Sequence, residues 1–336
     1  MGDLGYDLGD FARSIVAAIR IRDYRPGDEY GITTLFRVGD PRHERSVEYW
    51  RWSNSGSIYG NFLSSVAEYD DTIIGHYALV GFPLLVGKHR MHAAFGQQAV
   101  IHPRFRNLKV FMDLACEVFR RAKKVYDVLY AFPNDRMVEL KTSLLGWTRV
   151  ERFAASEVRV DALPAEIPRT LRVRRLDGYG EIPADWYDPA EGEIALAGGG
   201  AFLEWRLARH PIYHYVTLAV TEGGIQIGYM VLKLYREPDT GETIGHLIDY
   251  ETVGGETRPL VGLLAAARGF FQFHGIQRLR FWNKKKPYQE FFNTLFPDHR
   301  EAFESNLAVL PLVDQSKDIL VRPDHWSFAM VHSDAF

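Results

Sequence analysis

One acidic residue stands out because of the residues around it. Asp249 lies in the segment Leu247–Tyr250, whose other members are apolar. A carboxylate in such a run is costly to bury unless it is paired or faces a cleft. Burial also raises the pKa of a carboxyl group towards the range in which it accepts a proton from an amine. Asp249 is therefore a candidate general base, and we expect it to face a cleft rather than a hydrophobic core.

A second group of residues could bind an anion. Arg104, Arg106 and Lys109 surround Asn107, just before a segment with helical periodicity. A turn that leads into a helix directs unpaired N–H groups and the positive end of the helix dipole at a bound phosphate. Asn107 can adopt a positive φ at modest cost and so could form this turn, while the ammonium of Lys109 could pair with a phosphate. The alternative is a turn whose basic residues are merely solvated.

The histidine pairs do not indicate a metal site. His89 and His92 are three residues apart in a segment that reads as strand or turn, so their side chains would face opposite sides. His210 and His214 flank a proline, which argues against the helix that would bring them together. We therefore predict no metal. The sequence also lacks the motifs of serine hydrolases, dinucleotide-binding proteins and P-loop proteins.

Composition excludes several broad classes of protein. The chain has 336 residues, of which 46% are hydrophobic and 25% charged, as in an ordinary soluble globular protein. Forty Lys and Arg residues against 43 Asp and Glu give a net charge of -3, so a nucleic-acid partner is not expected. The single cysteine, Cys116, cannot form an intramolecular disulfide, and its place in an amphipathic helix predicts a buried thiol.

The single cysteine fits a reducing cytoplasm, and two further features of the sequence argue against export and a membrane span. The segment Met1–Arg20 carries three aspartates before its apolar residues, which is unlike a secretory signal. The longest apolar runs, Tyr77–Leu85 and Leu260–Ala267, are far shorter than the roughly 20 residues that cross a bilayer. We therefore expect neither export nor a membrane span.

An internal repeat indicates how the chain is organised. Trp52 and Trp205 are 153 residues apart, and each precedes an apolar hairpin. Gly75 and Gly228, within those hairpins, have the same separation. The motifs FPN and FWN recur later with a separation of 149 residues. A shared order of elements at a nearly constant spacing favours duplication over coincidence.

The hydrophobic periodicity predicts the same elements in both halves. In the first half we expect a strand, a helix, a hairpin turning at Asp70-Asp71, and then alternating strands and helices. The bounds that follow the hairpin are Gly96–His102, Val110–Lys124, Val128–Phe132, Asp135–Leu144 and Trp147–Phe153. In the second half the predicted segments are Leu171–Leu176, a hairpin turning at Gly223-Gly224, Gly245–Tyr250, Leu260–His274 and Arg278–Trp282.

These elements predict a two-domain α/β protein. The domains are residues 1–160 and 171–336, joined by a linker at 161–170 that contains Pro164 and Pro168. Each domain is expected to hold its own mixed sheet. The oligomeric state does not follow from the sequence.

Three segments of the sequence resemble motifs of the GNAT superfamily of N-acyltransferases. The segments IRIRDYRPGDEYGITTLF, AVIHPRFRNLKVFMDLACEVFRRA and YAFPNDRMVELKTSLLGW look like that family's first strand, its acyl-CoA-binding strand–loop–helix and its later strand–helix–strand. The resemblance covers most of Ile19–Phe153 and, more weakly, Leu171–Phe296. The tandem layout with YWRW, FPN and GW is similar to two-domain GNAT proteins of bacterial surface-polysaccharide pathways. Some of those proteins acylate the amine of a nucleotide-linked amino sugar.

The resemblance implies two tandem GNAT-like domains, with acyl-CoA as co-substrate and the amine of a small molecule as acceptor. The residues implied to hold acyl-CoA are Val100, Ile101, Arg104, Arg106, Asn107, Leu108, Lys109, Val110 and Asn134. In the phosphate turn, family members have Gln or Arg at the first position, Gly three positions later, and Gly or Ala two positions after that. Here those positions are Arg104, Asn107 and Lys109, so the first matches and both small residues are missing.

The resemblance also implies where proton transfer takes place. His102, at the end of the strand implied to bind acyl-CoA, is a second candidate base, although it is more often a structural residue of the family. The tyrosine that usually protonates the leaving thiolate would fall near Lys141 or Thr142, where this chain has none. Thr142 could donate a weak hydrogen bond to the thiolate, and the alternative is a threonine on the helix surface.

The second half departs further from the family. Its segment ETVGGETRP lacks the phosphate-turn pattern, so we expect this half to have lost acyl-CoA binding. It then either lines the acceptor pocket or only supports the first half. Two other functions remain open, which are a tandem enzyme using an aminoacyl-tRNA or acyl-carrier donor and a non-catalytic binding protein.

Overall fold

The structure is a computed structural model, and it describes residues 18–41, 45–183, 186, 189–196, 198–314 and 317–333. Most of the segment 1–20, for which we predicted no export signal, lies outside the described residues. No helix in the described part of the chain is both long enough and apolar enough to span a membrane.

Strands and helices alternate along most of the chain. The strands are β1 (Arg20–Asp23), β2 (Phe62–Tyr69), β3 (Thr72–Gly81), β4 (Leu84–Val86), β5 (His89–Met91), β6 (Ala93–Ile101), β7 (Val128–Ala131), β8 (Thr148–Arg159), β9 (Leu171–Leu176), β10 (Ile194–Leu196), β11 (Val216–Glu222), β12 (Ile225–Arg236), β13 (Thr243–Thr252), β14 (Arg278–Phe281), β15 (Arg300–Pro311) and β16 (Trp326–Ser327). The helices are α1 (Asp28–Gly39), α2 (Val47–Ser53), α3 (Leu108–Ala122), α4 (Asp135–Leu144), α5 (Gly200–Leu203), α6 (Arg258–Phe273), α7 (Gln289–Leu295) and α8 (Lys317–Leu320).

Both predicted hairpins are present. Asp70 and Asp71 connect β2 to β3 with φ values of 49° and 56°, and Gly223 and Gly224 connect β11 to β12 with φ values of 58° and 85°. Two consecutive positive φ values match the right-handed twist of the flanking strands. The short polar side chain of Asp and the absence of a Cβ in Gly make these residue types suited to such a turn.

Twelve of the described strands form one continuous sheet that spans both halves rather than one sheet per half, so this part of our prediction is wrong. The other four form a smaller sheet with the order β16-β10-β4-β5. Within the described residues a twelve-stranded sheet has the order β1-β2-β3-β6-β7-β15-β8-β14-β13-β12-β11-β9. The first five strands come from the first half of the sequence and the last five from the second half. Between them lie two long strands, each of which pairs with a strand of the other half. Strand β15, from the second half, pairs with β7, and strand β8, from the first half, pairs with β14. We call this arrangement the exchange of β8 and β15.

The two halves meet through a reciprocal contact between the repeated tryptophans. The indole N–H of Trp52 donates to the backbone carbonyl of Trp205 at 2.8 Å, and the indole N–H of Trp205 donates to the carbonyl of Trp52 at 3.1 Å. The ring centroids are 5.8 Å apart. A contact in which each residue plays the other's role is the signature of a two-fold axis. The repeat in the sequence therefore corresponds to an internal pseudo-symmetry of the fold.

Helix α3 covers the first half of the sheet. Its buried residues Val110, Leu114, Val118 and Ala122 are spaced four apart and form one apolar stripe. Cys116 lies off this stripe and is exposed, so the predicted burial of its thiol is wrong. The periodicity placed the helix correctly, but Cys116 falls at a position that turns towards solvent.

Candidate active site

A cavity opens where two neighbouring parallel strands separate. Strands β6 and β7 pair only from Ala93 and Val128 to Phe95 and Tyr130. Beyond that point β6 continues to Ile101, while the chain after β7 turns away into α4. The space between them has a volume of about 850 Å³ and is closed on its sides by the start of α3 and by α4.

The wall formed by β6 contains a β-bulge. His76 pairs with Val100 and Ala78 pairs with Gln97, so β6 has one extra residue at this point, and Gln98 has a φ of 55°. A bulge leaves the extra residue out of the ladder and changes the direction of nearby groups. The wall that faces the cavity therefore carries backbone groups that are not used in strand pairing.

Side chains from the end of α2 hold this bulge in place. The amide of Gln97 donates to the carbonyl of Ser53 at 2.9 Å. The amide of Gln98 donates to the hydroxyl of Ser53 at 2.8 Å and accepts from the amide of Asn54 at 3.1 Å. All four residues are buried. Since buried amides are stable only when they are paired, the network fixes the strained backbone of the wall.

His76 lines the cavity, but both of its ring nitrogens are engaged. Its Nδ1 is 2.9 Å from the carbonyl of Gln98, so Nδ1 carries the hydrogen. Its Nε2 accepts from the indole N–H of Trp50 at 3.4 Å. Burial lowers the pKa of His76 to about 4, so the ring is neutral at pH 7. The ring therefore has no nitrogen available to act as a base.

A buried lysine and a buried tyrosine meet in the wall of the cavity. Lys141 on α4 donates a hydrogen bond to the hydroxyl of Tyr77 on β3. Its ammonium also lies 3.8 Å from the ring centroid of Trp147. Both side chains line the cavity and are 2% exposed. Burial raises the pKa of the Tyr77 hydroxyl well above its ordinary value, so this group is protonated at neutral pH.

The rim of the cavity is formed by exposed residues at the start of α3. Asn107 precedes the helix with a φ of -131°, which corrects our expectation of a positive φ. Its side chain instead caps the helix and accepts from the backbone N–H of Lys109 at 2.7 Å. Arg106 donates to the carbonyl of Gly39 at 3.0 Å, so its guanidinium is held at the rim. Lys109 pairs with Asp113 at 2.5 Å.

Six of the residues implied to hold acyl-CoA line this cavity. They are Val100, Ile101, Arg106, Asn107, Leu108 and Asn134. The other three are close in sequence but do not line it: Arg104, Lys109 and Val110. Arg104 and Lys109 are exposed, and Val110 is buried against the sheet because it belongs to the apolar stripe of α3.

His102 and Thr142 also lie outside the lining of the cavity. The Nδ1 of His102 accepts from the backbone N–H of Arg104 at 3.2 Å, which closes the turn before α3. The hydroxyl of Thr142 donates to the carbonyl of Val138 at 2.9 Å, one turn earlier in α4. Both contacts are local ones that a histidine and a threonine commonly make at helix ends and in helices.

Asp249 lines a separate pocket of about 50 Å³ that is formed by residues of the second half together with Leu85 of β4. It is 3% exposed and accepts from the hydroxyl of Tyr229 at 2.6 Å. Its other carboxylate oxygen lies 2.9 Å from the ammonium of Lys285. The carboxylate thus has a hydrogen bond and an ion pair of its own, and it does not share the large cavity.

Lys285 occupies the place where β13 and β14 separate. Those strands pair only from Gly245 and Leu279 to Leu247 and Phe281, as β6 and β7 do in the first half. The ammonium of Lys285 binds the carbonyl of Tyr250 at 2.6 Å and the carboxylate of Glu251 at 2.8 Å. Burial alone would lower its pKa, but Asp249 and Glu251 outweigh burial and raise it. In the second half, the ammonium of Lys285 therefore fills the space between the separated strands β13 and β14.

The sequence did not indicate that Tyr77 and Lys141 lie together. Tyr77 belongs to β3 and Lys141 to α4, 64 residues later. The available signal was the position in α4 that the GNAT resemblance reserves for a tyrosine, near Lys141. No metal-binding group of three His, Cys, Asp or Glu side chains occurs among the residues that the structure describes.

Solved structures with the same fold include GCN5-related N-acetyltransferases (GNAT). The chain matches the one from Anabaena variabilis ATCC 29413 with a TM-score of 0.66 and 11% identity, over 88% of this chain and 73% of that one. The match to the one from Kribbella flavida has a TM-score of 0.61 and 13% identity, and it covers 88% of this chain and 72% of that one. The match to Saccharomyces cerevisiae N-myristoyltransferase with bound myristoyl-CoA has a TM-score of 0.57 and 10% identity, and it covers 88% of this chain and 79% of that one.

No protein-family model matches the sequence, and neither does any curated protein. Identities of 10 to 13% relate the chain to its neighbours by fold alone. The chain therefore has a GNAT fold with a large mixed sheet, and its activity has to be argued from the site.

Proposed function

We propose that this chain is an N-acyltransferase that takes its acyl group from acyl-CoA. The observation that carries the proposal is the cavity of about 850 Å³ between the separated strands β6 and β7, with the start of α3 at its rim. A helix start favours a phosphate group, and a separated strand edge favours an extended chain that contains amides. CoA combines both features.

The residues present fit CoA at the rim of the cavity. Arg106 supplies a positive charge, and the first turn of α3 supplies backbone N–H groups, of which Asn107 caps only that of Lys109. We propose that Arg104 and Lys109, which are exposed beside this rim, add positive charge near the phosphates. Charge-assisted bonds of this kind are the stronger hydrogen bonds in proteins.

The wall of the cavity fits the rest of the molecule. The segment from Gly96 to Ile101 has no partner strand on the side of β7, so its backbone groups can pair with the amides of an extended ligand. Gly96 lines the cavity without adding a side chain to it. The buried network of Ser53, Asn54 and the two glutamines keeps this edge rigid, which lowers the entropy cost of binding.

The acyl-CoA thioester supplies the activated acyl group when bound. The described residues then have three tasks, which are to hold the phosphates at the rim, to align the reacting carbonyl with the wall of β6, and to return a proton to the leaving group. Alignment in a cavity of this kind replaces a bimolecular collision with a positioned attack.

For the acceptor we propose the amine of a nucleotide-linked amino sugar, on the basis of the sequence resemblance to tandem GNAT proteins. Arg45 and Arg136 lie at the rim of the cavity and offer positive charge to a diphosphate. Because Tyr229 and Lys285 already engage the carboxylate of Asp249, we propose a structural role for this residue, with the role of general base as the alternative.

The experiment is a transfer assay with acetyl-CoA as donor. The acceptors are a nucleotide-linked amino sugar, the free amino sugar and a peptide amine, and a reaction without acceptor measures hydrolysis. We expect an amide product by mass spectrometry together with one equivalent of free CoA thiol. If the chain binds acetyl-CoA and acylates none of these amines, a non-catalytic binding protein is favoured. If it binds no acetyl-CoA, the proposal fails.

A further inference from the structure

We propose that the ε-amine of Lys233, on β12, is a modification site that takes up carbon dioxide and becomes a carbamate. Lys233 lines neither the cavity assigned to acyl-CoA nor the small pocket beside Asp249. Uptake of carbon dioxide at this site is therefore independent of acyl transfer.

The internal repeat shows that the fold can fill this position with an apolar residue. Val80 precedes Lys233 by 153 residues, which is the separation of the repeated tryptophans. Val80 pairs across the sheet with Phe95, and Lys233 pairs across the sheet with His246. All four side chains are buried. An apolar pair therefore satisfies packing in the first half, and the second half has two ionisable groups in its place.

The amine of Lys233 is enclosed by aromatic rings. Its nitrogen lies 3.3 Å from the ring centroid of Tyr213, 5.2 Å from that of Tyr235 and 5.8 Å from that of Tyr215. The side chain is 1% exposed, and among the described residues its nitrogen has no hydrogen-bond partner. Buried polar groups without such a partner are rare in folded proteins, so this one calls for an explanation.

The surroundings of Lys233 oppose a positive charge on its amine. Burial, together with the positive charge of Arg206, lowers the pKa of Lys233 to about 7. Burial also lowers the pKa of His246 and of His210 to about 3, so both rings are neutral at pH 7. The three tyrosines have pKa values raised by burial, so their hydroxyls are protonated. An uncharged lysine beside a fixed positive charge is an activated nucleophile.

The fixed positive charge of Arg206 favours an anion on Lys233. The guanidinium of Arg206 is buried and donates to two backbone carbonyls, which are neutral and do not balance its charge. Arg280, a second cation near His246, is already paired with Glu157 and Glu237. A negative charge on Lys233 would therefore turn its repulsion from Arg206 into attraction.

These conditions favour carbon dioxide among the electrophiles that react with amines. An aldehyde would form an imine, which is neutral or positively charged and gains nothing from Arg206. A bulky reagent could not reach the enclosed nitrogen unless the ring of Tyr213 were displaced. Carbon dioxide is small and uncharged, and the carbamate that it forms carries the negative charge that Arg206 favours.

The reaction balances with carbon dioxide and water alone. The lone pair of the Lys233 nitrogen forms an N–C bond to the carbon of carbon dioxide, and one C–O π pair moves onto oxygen. The nitrogen then loses one proton to water, and nothing is oxidised or reduced. The face of an aromatic ring repels an anion, so we expect the half-buried ring of Tyr213 to turn aside when the carbamate forms.

The test traps the carbamate in the full chain. The protein is equilibrated with isotopically labelled carbon dioxide at constant partial pressure, and triethyloxonium converts any carbamate into a stable ethyl carbamate. Peptide mass spectrometry then locates the label. We expect the label on Lys233 at pH 8, and at least about tenfold less of it at pH 6, where the amine is protonated.

Other lysines of the same chain are the internal controls. Lys285 is also buried, but its ammonium is paired with Asp249 and Glu251, whereas Lys124 is exposed. Both should remain unlabelled. In Lys233→Met the label should be lost while the near-ultraviolet circular dichroism is kept, because methionine fills a similar space.

Either of two results would overturn the proposal. The first is the absence of label from Lys233 in the folded wild-type protein at pH 8. The second is equal labelling of Lys233 and Lys124, because the buried amine would then have no reactivity of its own. Both results come from the wild-type protein, so they decide the matter even where the Lys233→Met variant does not fold.

Discussion

Asp249 illustrates how its neighbours in space change the interpretation of a residue. From the sequence, an acid within an apolar run is a candidate base. In the structure the same carboxylate is held by Tyr229 and Lys285 in its own small pocket. Periodicity can indicate that such a residue is buried, but it cannot identify the cation that reaches it from a loop 36 residues away.

The variant Asp249→Asn separates a structural role from a catalytic one. The amide keeps the hydrogen bond from Tyr229 but removes one of the two carboxylates beside Lys285, which is buried. We expect the free energy of unfolding in urea to fall by about 1–3 kcal/mol. CoA affinity and turnover should change little. A loss of turnover of about 10²–10⁴-fold with unchanged stability would instead show that Asp249 is the base.

At the scale of elements, the sequence predicted most of what the structure contains. The helix at Asp135–Leu144 and the strand at Leu171–Leu176 have their predicted bounds, because caps, turns and periodicity are local signals. Asn107 was placed correctly at the start of α3, although its backbone is extended rather than left-handed. The bulge in β6 was not foreseen, since it depends on side chains of α2.

The start of α3 can be tested as a phosphate site without disturbing the helix. Asn107→Asp keeps an N-cap of equal quality and places a negative charge where the phosphates of CoA are proposed to bind. Calorimetry should show CoA binding weakened at least about tenfold, because a charge-assisted contact is worth about 1.5–3 kcal/mol. Binding of pantetheine, which has no phosphate, should be unchanged.

Ser46→Asp provides the control for this variant. Ser46 caps α2 in the same way, accepting from the backbone N–H of Tyr49 at 3.1 Å, but it lies outside the cavity wall. It should leave CoA affinity unaltered. Equal CoA affinity in Asn107→Asp and in the wild-type protein would show that the phosphates of CoA do not bind at this helix end.

At the scale of the whole molecule, the exchange of β8 and β15 decides how the halves are joined. Strand β15 of the second half pairs with β7 of the first half, and β8 of the first half pairs with β14 of the second half. The two domains predicted from the sequence therefore share one sheet. A repeat in the sequence indicates that two similar units exist, but the pairing partner of a strand is set by contacts distant in sequence. The proposed boundary at residues 161–170 therefore separates two sequence repeats that do not have separate sheets.

The exchange predicts that the halves stay together after the linker is cut. Glu166 is exposed in the segment between β8 and β9, so a protease site inserted there should be cleaved without loss of structure. The two fragments should then elute as one particle in size-exclusion chromatography, because β8 and β15 still pair with strands of the other half. Separation of the folded fragments would contradict the exchanged sheet.

Buried histidines make the whole molecule sensitive to acid. Burial lowers the pKa of His76 to about 4, and that of His210, His246 and His332 to about 3. In the unfolded chain these groups have pKa values near 6.5. The unfolded state therefore binds more protons at lower pH, so their contribution to stability is complete above pH 6.5 and is lost as the pH falls towards 4.

The expected size of this effect is large. Each of these histidines costs at most about 2 kcal/mol between pH 6.5 and pH 5, which is already a large fraction of the total stability of a typical protein, about 5–15 kcal/mol. Urea unfolding at a series of pH values should show stability falling steeply below pH 6.5. A flat profile between pH 7 and pH 5 would show that these rings are not held neutral in the folded chain.

Binding of CoA to a chain whose cavity has been filled tests the central claim most directly. Leu140 lines the cavity from α4, whereas Leu144, one turn later on the same helix, is exposed and does not. Isothermal titration calorimetry should show one CoA per chain in the wild-type protein and in Leu144→Trp. In Leu140→Trp the affinity should be at least about tenfold weaker, a loss of about 1.4 kcal/mol. Equal CoA affinity in both variants, or no binding to the wild-type protein, would contradict the assignment of this cavity to acyl-CoA.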